Sequence, residues 1–447
     1  VEGTCEQECL ASPRSYLRAT VGAIDLQDPD FVFHACDANG DKTLYMDELR
    51  LALRVLGFNS DSVPAAVDPG CRMPFDEFAA LVESLKRTAE PVMRCDPVVP
   101  HALRGMTLAQ LRQVDSVFLA GGWLSERCAQ VNAQRQEKDI TWSENLHALN
   151  RFVVCPLTTP AGGSAREHSK GAFPDALREC SFSELVNRRG RFIHYFVSHC
   201  WNHNYRSTLR ALSQWAGGRF KIVGVSDPEQ IVFWICLFAV NQHHASTEVS
   251  TRPALAPFNA ALRLATHGAI MVLDEAAEPF ERIWCVFEVH QLADLGRDVS
   301  LITEHGSLHD EQVNEEARCI LHLVGQKLAS FSAVDAKSSQ NEDKYRIWYC
   351  VADQHYHSWY SEDEFVQECA ATRITPQRKD FQGFDTEVSS ILATSLFRQR
   401  LQHLNPASAA DALQSIGLGA QCSVDELKKV LAKSSTCHEQ RLATQFS

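Results

Sequence analysis

The residues from Asp37 to Glu48, DANGDKTLYMDE, place oxygen-bearing side chains at the spacing of a calcium-binding loop. Asp37, Asn39 and Asp41 would supply carboxylate or amide oxygens at loop positions one, three and five. Thr43 would supply its backbone carbonyl at position seven, and Glu48 would close the site with both carboxylate oxygens at position twelve. Because calcium prefers such hard oxygen donors, we predict a calcium site with these five residues as ligands.

Hydrophobic residues with helical spacing flank this loop on both sides. They are Phe31, Val32 and Ala35 before it, and Leu49, Leu51, Ala52, Val55 and Leu56 after it. Residues 28–57 therefore resemble an EF-hand. Position six of such a loop is usually glycine but here is Lys42, whose left-handed backbone would cost about 1 kcal/mol and weaken binding without abolishing it. The alternative is an acidic turn that binds no ion.

EF-hands usually occur in pairs, and the sequence MPFDEF at residues 73–78 resembles the end of a second loop. Glu77 would be its twelfth position, but Ala66 and Gly70 would stand at the first and fifth positions and offer no side-chain ligand. We therefore expect residues 1–90 to form an all-α EF-hand module with one intact and one vestigial loop. The second loop should contribute a strand and a helix over 75–87, but no ion.

Farther along the chain, apolar strand-like segments alternate with helical ones. Strands are predicted at 192–198, 231–240, 269–273 and 299–302, and helices at 257–267 and 279–295. This alternation indicates an α/β fold, a parallel sheet flanked by helices. Ligands of such sheets bind at the carboxyl ends of the strands. The residues there that could form a binding crevice are Ser198, His199, Trp201, Asn241, Gln242 and Asp274.

Two motifs carry a resemblance to a known family. FVSH at residues 196–199 and RIWCVFE at 282–288 resemble the Toll/interleukin-1 receptor (TIR) domain, whose members begin with a similar strand and carry a WCxxE motif. The chain is also similar to a group of protist proteins with FVSHxW, WICxxAxNQH and RxWCxFE blocks. The resemblance implies a TIR-like, flavodoxin-like domain, assigned to 191–405, and a protein partner bound through it. The segment 243–257 is longer than the corresponding interaction loop of the family.

In TIR domains that hydrolyse NAD, the essential glutamate is the last residue of the WCxxE motif. The resemblance thus implies that Glu288 is catalytic. Ser198 and Trp201 are predicted to lie beside it, and the crevice residues His199, Asn241, Gln242 and Asp274, which follow from the strand ends and not from the resemblance, are the candidates for binding the cofactor. A buried carboxylate could stabilise the oxocarbenium-like state in which nicotinamide leaves. The alternative is that Glu288 pairs with Arg282 or Arg263 in a structural contact. A calcium-regulated NAD hydrolase therefore stands as the alternative to a calcium-responsive regulatory or signalling protein.

Nitrogen and sulfur ligands near the strand ends allow two further interpretations. A zinc site would draw on residues of the types that zinc prefers. They are His199, Cys200, His203, His243, His244 and Cys285. Cys200 with a neighbouring histidine could instead be a nucleophilic pair. No ligand spacing of a known zinc module is present, so we favour hydrogen-bonded histidines at strand ends.

Composition limits the remaining classes of function. The 447 residues carry a formal net charge of −13, which argues against nucleic acid as a partner. The longest apolar run, 231–240, is half of what a bilayer crossing needs, and the N-terminus lacks the features of a secretory signal, so we expect no membrane span. Sixteen scattered cysteines without a CxxC pair indicate a reduced, cytoplasmic protein.

The remaining segments carry no visible chemistry. Residues 91–190 are expected to form a linker or helical extension that packs on the next domain. A further strand is predicted at 346–352, and helices are predicted for 406–447, where Ser423 and Glu426 form a capping box.

Overall fold

The computed structural model describes residues 24–59, 72–88, 98–134, 141–249, 252–297, 299–309, 314–352 and 356–403. Within them the chain is an α/β protein with a six-stranded mixed sheet, preceded by a small helical unit. The helices predicted for 406–447 lie outside the described residues. So do Ala66 and Gly70, at the start of the predicted second loop.

In the described residues, the N-terminal unit contains three helices and two short strands. In chain order they are α1 (Pro29–Cys36), β1 (Thr43–Leu44), α2 (Met46–Val55), β2 (Met73–Pro74) and α3 (Phe75–Thr88). The helix predicted at 75–87 is therefore confirmed. β1 and β2 pair antiparallel, with Leu44 opposite Met73. The apolar faces of the helices enclose a core that includes Phe31, Phe33 and Phe78.

The segment from 98 to 186 is mainly helical and covers one face of the sheet. It contains β3 (Met106–Thr107), α4 (Leu108–Val114), α5 (Trp123–Gln134), α6 (Leu146–Leu149), α7 (Cys155–Leu157), α8 (Ser164–Ser169) and α9 (Phe182–Val186). π-helical turns follow α4 and α6, at Asp115–Leu119 and Asn150–Val154. Phe118 and Phe182 of this segment share one buried core with Tyr195, Val197 and Phe233 of the sheet.

The sheet has the spatial order β3-β5-β4-β6-β7-β8. Its further strands are β4 (Tyr195–Ser198), β5 (Val232–Ile235), β6 (Ala269–Val272), β7 (Val299–Thr303) and β8 (Gly306–Ser307). The four central strands are parallel, as predicted, whereas the edge strands β3 and β8 are antiparallel. The expectation of a purely parallel sheet was wrong at both edges, because two-residue strands are too short to leave a sequence pattern. The chain order reverses between β4 and β6.

Nine helices complete the α/β part among the described residues. They are α10 (Tyr205–Val223), α11 (Cys236–Ala239), α12 (Ala245–Glu248), α13 (Pro257–Leu264), α14 (Ile283–Asp294), α15 (Glu315–Ser330), α16 (Asn341–Val351), α17 (Glu362–Ala370) and α18 (Gln382–His403). Two predictions were wrong. The apolar run 231–240 is not one strand, since β5 ends at Ile235 and α11 begins at Cys236. The predicted strand at 346–352 lies in helix α16.

The ten cysteines within the described residues are all free thiols. No helix in the described part of the chain combines the length and the apolar character that a bilayer crossing requires.

Candidate functional site

The loop between α1 and α2 is curled around the carboxylate of Asp37. This side chain is 3% exposed and stands directly after α1. Its Oδ1 accepts a hydrogen bond of 2.7 Å from the Gly40 N–H, and its Oδ2 accepts one of 3.1 Å from the Lys42 N–H. Lys42 has a φ of 64°, so a lysine holds the left-handed conformation that glycine usually supplies at position six.

The middle of the loop presents its polar side chains to solvent. Asn39 Oδ1 accepts from the Asp41 N–H at 3.1 Å, and Asp41 Oδ1 accepts from the Thr43 N–H at 2.9 Å and the Thr43 hydroxyl at 2.6 Å. Burial opposes ionisation of Asp41, but the hydrogen bonds from Thr43 and Asn39 outweigh it and lower the pKa of this carboxyl. Asp41 is therefore an anion at neutral pH.

Glu48 connects the two ends of the loop from the first turn of α2. Its Oε1 accepts a hydrogen bond of 2.7 Å from the Ala38 N–H, and its Oε2 accepts one of 2.8 Å from the Tyr45 N–H. Burial raises its pKa to about 7, and the charges of Asp37 and Asp41 act in the same direction. The loop thus holds three carboxyl groups that repel one another while their oxygens accept hydrogen bonds within the loop.

At the carboxyl end of the central strands, Ser198 of β4 and Glu288 of α14 come together. Glu288 is 7% exposed, and burial raises its pKa to about 8. The Ser198 hydroxyl is near enough to moderate this rise, but neither it nor Glu288 Oε2 makes a hydrogen bond of regular geometry. Arg263 and Arg282 contact other residues. Among the described residues, no cation forms a salt bridge with Glu288, so the structural pairing considered from the sequence does not form.

A thiol and an imidazole meet close to this carboxyl group. Cys236, at the start of α11, has its Sγ 3.7 Å from His199 Nε2 and accepts a hydrogen bond of 3.3 Å from Trp201 Nε1. Burial raises the pKa of Cys236 to about 12 and lowers that of His199 to about 4, so both groups are neutral. The sequence had suggested Cys200 for such a pair. Cys236 was missed because it lies within an apolar run that was interpreted as a single strand.

Three other residues predicted for the crevice, Asn241, Gln242 and Asp274, form hydrogen bonds with backbone groups of the loops that follow the strands. Asn241 Oδ1 accepts a hydrogen bond from a backbone N–H at 3.1 Å, and Gln242 Nε2 donates to three carbonyls of the preceding turn. Asp274 Oδ1 accepts from the Glu278 N–H at 2.6 Å. Cys200, Asp274 and Glu278 place metal-ligand atoms within 4.8 Å of one another, a group that the sequence did not suggest.

The six nitrogen and sulfur residues considered for zinc do not form one ligand group in the described part of the chain. His243 Nε2 lies 2.9 Å from the Thr158 hydroxyl, and His244 lies 2.8 Å from a carboxylate oxygen of Glu179. These two histidines are thus used in contacts with the helical segment before the sheet.

No known family model, no curated protein sequence and no solved structure matches the chain.

Proposed function

We propose that the protein binds one calcium ion in the loop 37–48 and acts as a calcium-responsive regulatory or signalling protein through its α/β domain. The observation that carries this proposal is a curled twelve-residue loop in which Lys42 adopts a φ of 64°. The side-chain oxygens of the loop are of the kind that calcium prefers, and calcium binding would have to draw Asp37, Asp41 and Glu48 together, since their carboxylates do not form a ligand group within 4.8 Å in the described structure. The residues that would hold the ion are Asp37, Asn39, Asp41, Thr43 and Glu48. The ten free thiols of the described residues suit a reducing, cytoplasmic setting.

The electrostatics of the loop support the same proposal. Asp37 and Glu48 are both buried, and burial raises the pKa of each carboxyl. Asp41 adds a third carboxyl whose charge raises the pKa of the other two further. A divalent cation would neutralise this excess of negative charge and stabilise the ionised form of each carboxylate.

Calorimetric titration with calcium tests the proposal on three proteins. Wild type should bind one ion, and Glu48→Gln should bind at least tenfold more weakly, since it loses one of the two carboxylate oxygens at position twelve. Asp47→Asn is the matched control, because it removes the same charge from an adjacent side chain that is 65% exposed and outside the ligand set. Absence of binding heat in wild type, or equal affinity in all three proteins, would refute the proposal.

We propose NAD hydrolysis as a second candidate function. It is supported by the unpaired, buried Glu288 beside Ser198, at the point where the chain order of the sheet reverses. The order second, first, third, fourth of the parallel strands is that of flavodoxin-like sheets, which bind ligands at this point. The resemblance to TIR domains assigns the catalytic role to the same glutamate.

In this reaction, Glu288 would stabilise the positive charge that develops on the ribose as nicotinamide leaves. The glycosidic C–N bond breaks with its electron pair leaving on nicotinamide, water adds to the ribose C1′ atom, and this water loses a proton. With a pKa of about 8, Glu288 is mainly protonated in the free protein at neutral pH. The positive charge of the nicotinamide ring would favour ionisation of Glu288, which would then face the developing oxocarbenium ion.

Release of free nicotinamide from NAD, measured with and without calcium, tests this second function. Wild type should release nicotinamide, and Glu288→Ala should not. Asp294→Asn is the control, since Asp294 is an exposed carboxylate at the end of the same helix. Equal release by wild type and Glu288→Ala, or no release by either, would exclude Glu288 as the catalytic residue for NAD.

A further inference from the structure

A positive charge from the α/β domain is packed against the proposed calcium loop. Arg263, at the end of α13, is only 8% exposed. Its Nη1 donates to the backbone carbonyl of Asp37 and lies 3.6 Å from Asp37 Oδ1. A Cβ atom at Gly40 would come within 2.6 Å of Arg263 Cζ, so the guanidinium occupies the space that a side chain at position four would need. The Arg263 guanidinium therefore contacts Asp37, the first residue of the proposed ligand set.

This guanidinium and a calcium ion would act on the same carboxylates. Arg263 interacts favourably with Asp37, Glu48 and Asp41, three of the four side-chain ligands. Calcium lies about 2.4 Å from a ligand oxygen. If calcium bound Asp37 Oδ1, from which Arg263 Nη1 lies 3.6 Å, the two cations would be within about 6 Å of each other. Even with the dielectric constant of water, charges of one and two at this separation repel enough to weaken binding about tenfold.

The helix that carries Arg263 also contacts the candidate catalytic helix. The Arg297 guanidinium donates to three backbone carbonyls at the end of α13 and fixes this end. The ring of Phe258, in the first turn of α13, lies 5.1 Å from the ring of Trp284 at the start of α14. Two other residues of α13 pack in the core of the N-terminal unit. A displacement of α13 that follows movement of Arg263 would therefore change the packing of α13 against α14, the helix that carries Glu288.

We propose that Arg263 is an internal cation that competes with calcium and couples the loop to the α/β domain. Without calcium it neutralises part of the charge on the loop and holds the loop against α13. Calcium binding displaces the guanidinium from Asp37 and loosens α13. Coupling between two sites is reciprocal. The factor by which calcium binding weakens the contact between Arg263 and Asp37 is therefore also the factor by which this contact weakens calcium binding. This inference rests on the calcium site proposed above.

Calcium affinities of four proteins test the competition. Arg263→Gln should bind calcium about tenfold more tightly than wild type, whereas Arg263→Lys, which keeps the charge, should stay within about threefold of it. Arg50→Gln is the control, because it removes an equal charge from an exposed side chain of α2 that pairs with Asp47. Equal affinity of wild type and Arg263→Gln would overturn the role of Arg263 while leaving calcium binding intact. Absence of binding in all four proteins would refute the calcium site itself.

Hydrogen exchange of the wild-type protein tests the coupling without any substitution. Amides of α13 should exchange several-fold faster when calcium is added, while amides of α2 should exchange more slowly. Unchanged exchange in α13, in a sample whose α2 becomes protected by calcium, would overturn the inference even if the Arg263 variants failed to fold.

Discussion

Replacing Glu288 with glutamine should stabilise the protein at neutral pH and leave its stability nearly unchanged at pH 4. The carboxyl group is 7% exposed, has no salt-bridge partner among the described residues, and makes no regular hydrogen bond through Oε2. Its negative charge is therefore poorly solvated in the folded protein. Glutamine has the same shape and no charge, and its amide could donate to the nearby Ser198 hydroxyl.

The magnitude follows from the pKa of this carboxyl, which burial raises from 4.5 to about 8. Well below pH 4.5, the Glu288 carboxyl is protonated in both the folded and the unfolded chain, so the stability of the protein does not depend on pH through this group. The two pKa values that matter are 4.5 in the unfolded chain and about 8 in the folded protein. Between these values the unfolded chain loses a proton that the folded protein keeps, so the free energy of unfolding falls as pH rises. The loss reaches about 3 kcal/mol by pH 7 and is complete, at about 5 kcal/mol, above pH 8.

Urea unfolding at pH 4.5 and pH 7.5, followed by tryptophan fluorescence, would measure this difference. Glu288→Gln should exceed wild type in stability by about 3 kcal/mol more at the higher pH than at the lower one. Asp294→Asn, which removes an exposed carboxylate of the same helix, should show no such dependence. The reasoning would be refuted if Glu288→Gln and wild type differed by the same amount at both pH values.

Three other predictions follow from single contacts. Gly40→Ala should destabilise the N-terminal unit by about 1–2 kcal/mol in thermal unfolding, because φ is 78° at this position and the added Cβ would meet Arg263; an unchanged Tm would contradict this contact. Alkylation mapped by mass spectrometry at pH 8 should modify the exposed Cys319 well before Cys236, because burial raises the pKa of the Cys236 thiol to about 12. Rapid modification of Cys236 would instead support a nucleophilic role for this thiol. Arg104→Met should lower stability by about 3 kcal/mol, because it removes the buried cation shared by Glu184 and Glu248 and leaves only Arg178 beside Glu184; a loss below about 1 kcal/mol would contradict this role of Arg104.

The sequence indicated those features that depend on short-range patterns. The central strands of the sheet were located because each is a compact apolar segment next to polar residues, as in β6 and β7. The loop 37–48 was singled out because its oxygen-bearing side chains follow a fixed spacing. In contrast, the run 231–240 is apolar throughout, and such a run contains nothing that marks Cys236 as the start of a helix. The aromatic residues near 346–352 suggested a strand, but they lie on helix α16.

Contacts between distant parts of the chain could not be inferred in the same way. Arg263 and Asp37 are 226 positions apart, and neither residue type predicts the other. The sequence suggested an arginine partner for Glu288, but Arg263 pairs with Asp37 of the loop 37–48 instead. Likewise, the proximity of Cys236 and His199 depends on the adjacent positions of β4 and β5 in the sheet. The composition of each segment carries no information about such neighbours.

The most direct test of the calcium account is the number of ions bound to each chain, measured by native mass spectrometry at increasing calcium concentration. The account predicts one ion per wild-type chain at saturation, and half-loading of Glu48→Gln only at a calcium concentration at least tenfold higher than for wild type. Equal binding of calcium by wild type and Glu48→Gln, or a wild-type chain that remains free of calcium at saturating concentration, would contradict it.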